Sequence, residues 1–107
     1  MLSDIENSIV AQFKSLLASH GIAYRQAIVY GSRARGDATQ DSDLDVLLIV
    51  DSYTRAERET ISGCACATSL ENGILLQSVV MTRAEFEDSP MRSSLFVRAI
   101  REEGIAV

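Results

Sequence analysis

Apolar positions change their period several times along the chain, and each change marks an element. Ile5, Ile9, Val10, Phe13, Leu16 and Leu17 recur at helical spacing and predict an amphipathic helix over residues 3–19. Ser3 and Glu6 form a capping box at its start, and Gly21 follows as a stop. Residues 24–30 (Tyr-Arg-Gln-Ala-Ile-Val-Tyr) read as a strand ending at Gly31. Residues 32–36 read as a short helix with Ser32 as N-cap, followed by a polar loop to Ser42. Residues 43–50 read as a second strand, and its run Val46-Leu47-Leu48-Ile49-Val50 is apolar at every position, the pattern of a strand covered on both faces. Thr54 and Glu57 open a helix that ends near Asn72-Gly73, and residues 74–81 form a third strand. Thr82 and Glu85 cap a short helical turn. Ser89 and Pro90 open a last helix, expected to carry Leu95, Phe96, Ala99 and Ile100 inward and to stop at Gly104, with a short edge strand over Ile105–Val107.

Strands alternating with helices predict an α/β (α+β) fold: a small mixed sheet flanked by helices. The 107 residues fit one domain spanning 1–107. About four helices are few for covering both faces of the sheet. Part of the apolar second strand is therefore expected to meet another chain.

Composition narrows the function. The net charge is −5, and the basic residues are nine Arg and Lys14, which excludes an extensive nucleic-acid surface. Asp37, Asp41, Asp43, Asp45 and Asp51 crowd one stretch, either a solvated acidic loop or a divalent-cation site. Cys64 and Cys66 form a lone C-x-C with no second pair for zinc, and read as reduced residues of a helix. The N-terminus shows no signal-peptide pattern and no stretch is apolar enough to span a membrane, so a cytoplasmic location is expected. His20, the only histidine, reads as a helix-end cap, and Tyr24, Tyr30 and Tyr53 as partial core.

The chemistry concentrates in Gly31-Ser32-Arg33-Ala34-Arg35-Gly36 and Asp43-Leu44-Asp45. A glycine where a strand turns into a helix lets an anion approach the backbone, and the helix start offers free N–H groups. Ser32 adds a hydroxyl, and Arg33 or Arg35 could add charge-assisted contacts to phosphate. Asp43 and Asp45, two apart on a strand, point to the same face and repel each other unless a cation lies between them. Magnesium suits this arrangement, because it takes hard oxygen ligands and bridges carboxylates to phosphates, as one ion or as a pair.

These residues, together with Ser42-Asp43-Leu44-Asp45, resemble the signature of the polymerase-beta nucleotidyltransferase superfamily, and most closely its minimal nucleotidyltransferases, the MNT proteins. Thr82-Arg83-Ala84-Glu85-Phe86 and Ile100-Arg101-Glu102-Glu103-Gly104-Ile105 are similar to later, less specific segments of those proteins. The resemblance implies Mg²⁺, a nucleoside triphosphate (ATP first), and transfer of NMP, AMP in the first instance, to a hydroxyl. It assigns Asp43 and Asp45 as metal-holding catalytic residues, and Gly31, Ser32, Arg33, Arg35 and Ser42 as the nucleotide-binding set. It also implies a helical HEPN partner, as in pairs acting as toxin and antitoxin, beside the alternative of a homo-oligomer.

One departure stands out. Active members carry a third carboxylate on the neighbouring strand, as general base. Ile74-Leu75-Leu76-Gln77-Ser78-Val79-Val80-Met81 contains none, and Gln77 is the first candidate for its place. An amide cannot take a proton at neutral pH, and loss of a base costs about 10²–10⁴-fold in rate. Three readings stay open: a weak transferase, a binding subunit that neutralises a helical partner without catalysis, and a small-molecule nucleotidylation domain lacking its acceptor half.

Overall fold

The structure is a computed structural model that describes residues 1–88 and 94–107. Helix α1 spans Asp4–Ser19, strand β1 Gln26–Tyr30, helix α2 Ser32–Arg35 and strand β2 Leu44–Val50. Helix α3 follows over Arg55–Asn72, strand β3 over Leu76–Thr82, helix α4 over Arg83–Glu87, helix α5 over Leu95–Glu103 and strand β4 over Ile105–Ala106. The strands form one mixed sheet in the order β3-β2-β1-β4. β1 pairs antiparallel with β2 and β4, and β2 runs parallel to β3, with α3 as the crossover.

Local signals set the helix ends. The Ser3–Glu6, Thr54–Glu57 and Thr82–Glu85 capping boxes all form with both reciprocal hydrogen bonds. His20 caps the end of α1, its Nδ1 2.9 Å from the Leu16 carbonyl. α2 differs from expectation: its N-cap is Gly31, and Ser32 is already its first helical residue. The reason lies in the backbone of Gly31, at φ 80° and ψ −159°, a region open essentially to glycine.

Alternation along β2 sends Leu44, Val46 and Leu48 to one core, under α1 and α3, with Ile9, Phe13, Leu17 and Ile61. Leu47 and Ile49 go to a second, under α4 and α5, with Phe86, Val97 and Ile100. Residues 46–50 are at most 4% exposed. The chain thus covers both faces of β2 by itself, which corrects the expectation of surplus apolar surface there. The two small helices α4 and α5 suffice because the sheet is only four strands wide.

α5 also corrects the reading of its face. Val97 and Ile100 are buried, whereas Leu95 is 83% exposed, Phe96 40%, and Ala99 lies on the surface. Ser94 caps the helix, and this start fixes the phase so that Val97 and Ile100, one turn apart, reach the sheet. The expected opening at Ser89 and Pro90 lies outside the described residues. Both cysteines are free, Cys64 buried and Cys66 exposed. No helix among the described residues is long and apolar enough to cross a membrane.

Candidate active site

The β1–α2 bend and the first residues of β2 meet because those strands are antiparallel neighbours, with Tyr30 opposite Asp45. Gly31, one residue beyond Tyr30, therefore arrives against the Asp45 side chain. A Cβ at position 31 would stand 2.6 Å from Asp45 Oδ2. Glycine is required twice over, by a positive φ and by contact with the carboxylate.

On the other side of β2, the parallel register sets Asp45 beside Gln77. Gln77 Nε2 donates to Asp43 Oδ2 at 3.0 Å. Gln77 thus stands where a third carboxylate would be looked for, and its neutral amide donates to Asp43 where an acid would repel it. Asp43 and Asp45 share a face, and Asp45 is half-buried. Burial first, and the Asp43 charge second, raise the Asp45 carboxyl above the ordinary aspartate value. No described residue gives Asp45 a hydrogen bond or a cation. No buried polar side-chain atom among the described residues lacks a partner, so the Asp45 oxygens remain open to solvent.

Tyr30 shares this face. Its hydroxyl is pushed up to about 12 by burial and, second, by the Asp45 charge. It remains a phenol at neutral pH, able to donate but not to act as a base. Its ring meets Phe96 edge-on, with centroids 5.4 Å apart.

The remaining nucleotide-binding candidates divide. Ser32 opens α2, where the first N–H groups of a helix have no intrahelical acceptor. Arg33 turns elsewhere. Its Nη1 donates to Glu6 Oε2 at 3.0 Å, with both side chains only 10% exposed, and its Nε and Nη2 donate to the Ser42 carbonyl at 3.0 and 2.8 Å. Burial raises the Glu6 carboxyl, but the Ser3 backbone N–H and Arg33 outweigh it and hold Glu6 below the ordinary glutamate value. Arg33 thereby anchors the loop that leads to Asp43. Ser42 supports the same loop: its hydroxyl accepts from the Thr39 N–H at 2.9 Å. Arg35 is half-exposed and pairs with Asp37 at 3.2 Å and Glu103 at 3.3 Å.

The pairing of Glu6 with Arg33 escaped the sequence reading, which saw Glu6 only as a helix cap, although a signal was present. Glu6 falls on the buried stripe of α1 with Ile9, Val10, Phe13 and Leu17, and a carboxylate on such a stripe demands a cation.

The donor set fits a hard divalent cation. The two carboxylates lie on one face, one of them half-buried and without a partner among the described residues, and their mutual repulsion is what a cation between them would relieve. No group of three or more His, Cys, Asp or Glu suited to a metal occurs among the described residues. Further oxygens would have to come from ligand and water, as is usual for magnesium on phosphates.

Comparison with known proteins agrees with this geometry. Residues 10–107 match the nucleotidyltransferase domain family. Over 56 residues, 51% of the chain, it is 38% identical to a putative protein adenylyltransferase of Methanocaldococcus jannaschii, of which the match spans 57%. The fold superposes on the crystal structure of a putative nucleotidyltransferase from Sulfolobus solfataricus with a TM-score of 0.53 at 18% identity, covering 99% of this chain and 87% of that one.

Proposed function

The chain belongs to the nucleotidyltransferase domain family, and from that premise we propose that it transfers NMP, AMP in the first instance, from a nucleoside triphosphate to a hydroxyl of a protein. The contact of Gly31 with Asp45, beside Asp43 and Gln77, carries this reading. A bend that only glycine can make, pressed against an unpartnered carboxylate, is costly to a fold and useful to a phosphate site.

Asp43 and Asp45 would hold Mg²⁺, as one ion or two, which when bound would neutralise the triphosphate and steady the departing pyrophosphate. Gly31, Ser32 and the first N–H groups of α2 would receive the phosphate tail. The Arg33–Ser42 contacts fix the loop so that Asp43 keeps its place at the start of β2. Gln77 orients Asp43 through the 3.0 Å hydrogen bond but cannot take the acceptor's proton. That proton would pass to water or to the leaving phosphate oxygens, and the rate would be low. The acceptor proposed is a hydroxyl of a helical, HEPN-type partner, which makes the pair an antitoxin and its toxin. The protein adenylyltransferase description of the archaeal relative supports a protein acceptor.

The Gln77–Asp43 hydrogen bond also favours a second reading, a binding subunit that keeps nucleotide or partner affinity with little catalysis. Incubation with α-phosphate-labelled ATP, Mg²⁺ and the helical partner separates the two. Transfer of label, abolished in Asp43→Asn with Asp45→Asn, supports the enzyme. Partner neutralisation that survives both substitutions, with no label transferred by the wild type, refutes it in favour of the binder.

A further inference from the structure

β3 is an outer strand of the sheet, seven residues long, and its sequence Leu-Gln-Ser-Val-Val-Met-Thr holds no charge, no proline and no glycine. Sheet proteins usually blunt such an edge with charges, proline or a bulge, because its free backbone groups invite another strand.

The free groups can be located. The Leu44 N–H donates to the Leu75 carbonyl, so the odd-numbered residues of β3 turn their backbone toward β2 and the even-numbered ones turn outward. Two of the outward residues are already served at the strand ends. The Leu76 N–H donates to Ser69 Oγ at 2.8 Å, and the Thr82 N–H donates to Glu85 Oε1 at 3.0 Å. Ser78 and Val80 remain, and neither backbone has a partner among the described residues. Beside them opens a cavity of about 220 Å³ lined by Tyr53, Arg58, Ile61 and Ser62, so among the described residues no element fills the space next to the edge.

We propose that this edge is the contact between two copies of the chain, paired antiparallel through β3 about a two-fold axis at Val79. The register follows from the free groups. Only with Val79 opposite its own copy does Ser78 of each chain face Val80 of the other. Both residues then exchange their N–H and carbonyl groups, forming four hydrogen bonds that leave neither edge open. A slip of two residues either way pairs only one outward residue with its like and strands the others. The uncharged sequence puts no like charges across the axis, and the half-buried Val79 side chains would meet there and shed water. Two four-stranded sheets would thereby join into one of eight. This contact is independent of the nucleotidyl-transfer reading, since it uses neither Asp43 nor Asp45.

Val79 on the axis would be a non-hydrogen-bonded pair, with Cα atoms roughly 4.5 Å apart, within the range that a disulfide spans. Multi-angle light scattering should give twice the chain mass for the wild type and for Val79→Thr, and the monomer mass for Val79→Lys, which sets two ammonium groups face to face. In a Cys66→Ser background, Val79→Cys should cross-link into a dimer under mild oxidation, whereas Gln77→Cys should not. Circular dichroism identifies a misfolded Val79→Lys, in which case the cysteine pair decides. A monomeric wild type at its highest soluble concentration overturns the proposal. So does a dimer unchanged by Val79→Lys, or equal cross-linking at positions 77 and 79.

Discussion

Two charged clusters adjoin along the loop that ends at Asp43, and they are built on opposite principles. In the first, Glu6, Arg33 and the Ser42 carbonyl satisfy one another, with both charged side chains almost fully buried. In the second, Asp43 and Asp45 share a face, no described residue gives Asp45 a cation, and burial and the Asp43 charge raise the Asp45 carboxyl above the ordinary aspartate value. A buried charge with all its partners is architecture. A half-buried one that no described residue pairs points to a ligand. The difference also explains why Arg33, although it lies two residues beyond Gly31, turns to Glu6 and the Ser42 carbonyl.

Breaking the first cluster should have the largest effect. Arg33→Met leaves Glu6 buried without a cation and should cost about 3–5 kcal/mol in chemical denaturation. Next comes the missing base. Gln77→Asp supplies a third carboxylate beside Asp43 and should raise label transfer by about 10²-fold, provided the metal is present to offset the added repulsion. An unchanged or lower rate in Mg²⁺ would show that Gln77 is not what limits the chemistry.

Gly31→Ala should cost about 1–3 kcal/mol from its backbone alone and should also displace Asp45, so that nucleotide binding is lost with stability. Gly36→Ala is the control. It has φ 85° with open space around it, so it should lose about 1–2 kcal/mol yet keep nucleotide affinity. Equal affinities in the two variants would separate the Gly31 bend from the site.

The smallest effect has the opposite sign. Asp45→Asn should raise the Tm of the ligand-free protein by a few degrees at neutral pH, because the folded state disfavours the ionised carboxylate. Since the folded pKa of Asp45 lies above 3.8, that destabilisation fades as pH falls through it, and the Tm gap between variant and wild type should close. Glu6 behaves in reverse. Its folded pKa lies below 4.5, so its contribution is complete above that value and is lost as pH falls further. A Tm gap for Asp45→Asn that is independent of pH would remove ionisation as its cause.

The sequence made the second cluster readable and hid the first, for a physical reason. Asp43 and Asp45 are neighbours on one strand, and Gly31 adjoins a predicted strand end, so local periodicity alone brings out the site. Arg33 and Glu6 are partners across 27 residues, and nothing local to Arg33 announces that bond. The helix caps were legible because they are local chemistry, as with Ser3–Glu6 and Thr82–Glu85. The inward face of α5 was not, because Leu95, Phe96 and Val97 are equally apolar and only the packing of Val97 and Ile100 against the sheet selects among them. Gln77 was readable as the residue beside the carboxylates, but its bond to Asp43 depends on the parallel register of β2 and β3.

The central claim is that Asp43 and Asp45 join a divalent cation to the phosphates of a nucleotide resting on the Gly31 bend. Calorimetric titration with a nonhydrolysable ATP analogue tests it without requiring turnover. Binding should be measurable in Mg²⁺, disappear in EDTA and disappear again in Asp43→Asn. Binding of equal strength under all three conditions would contradict the account.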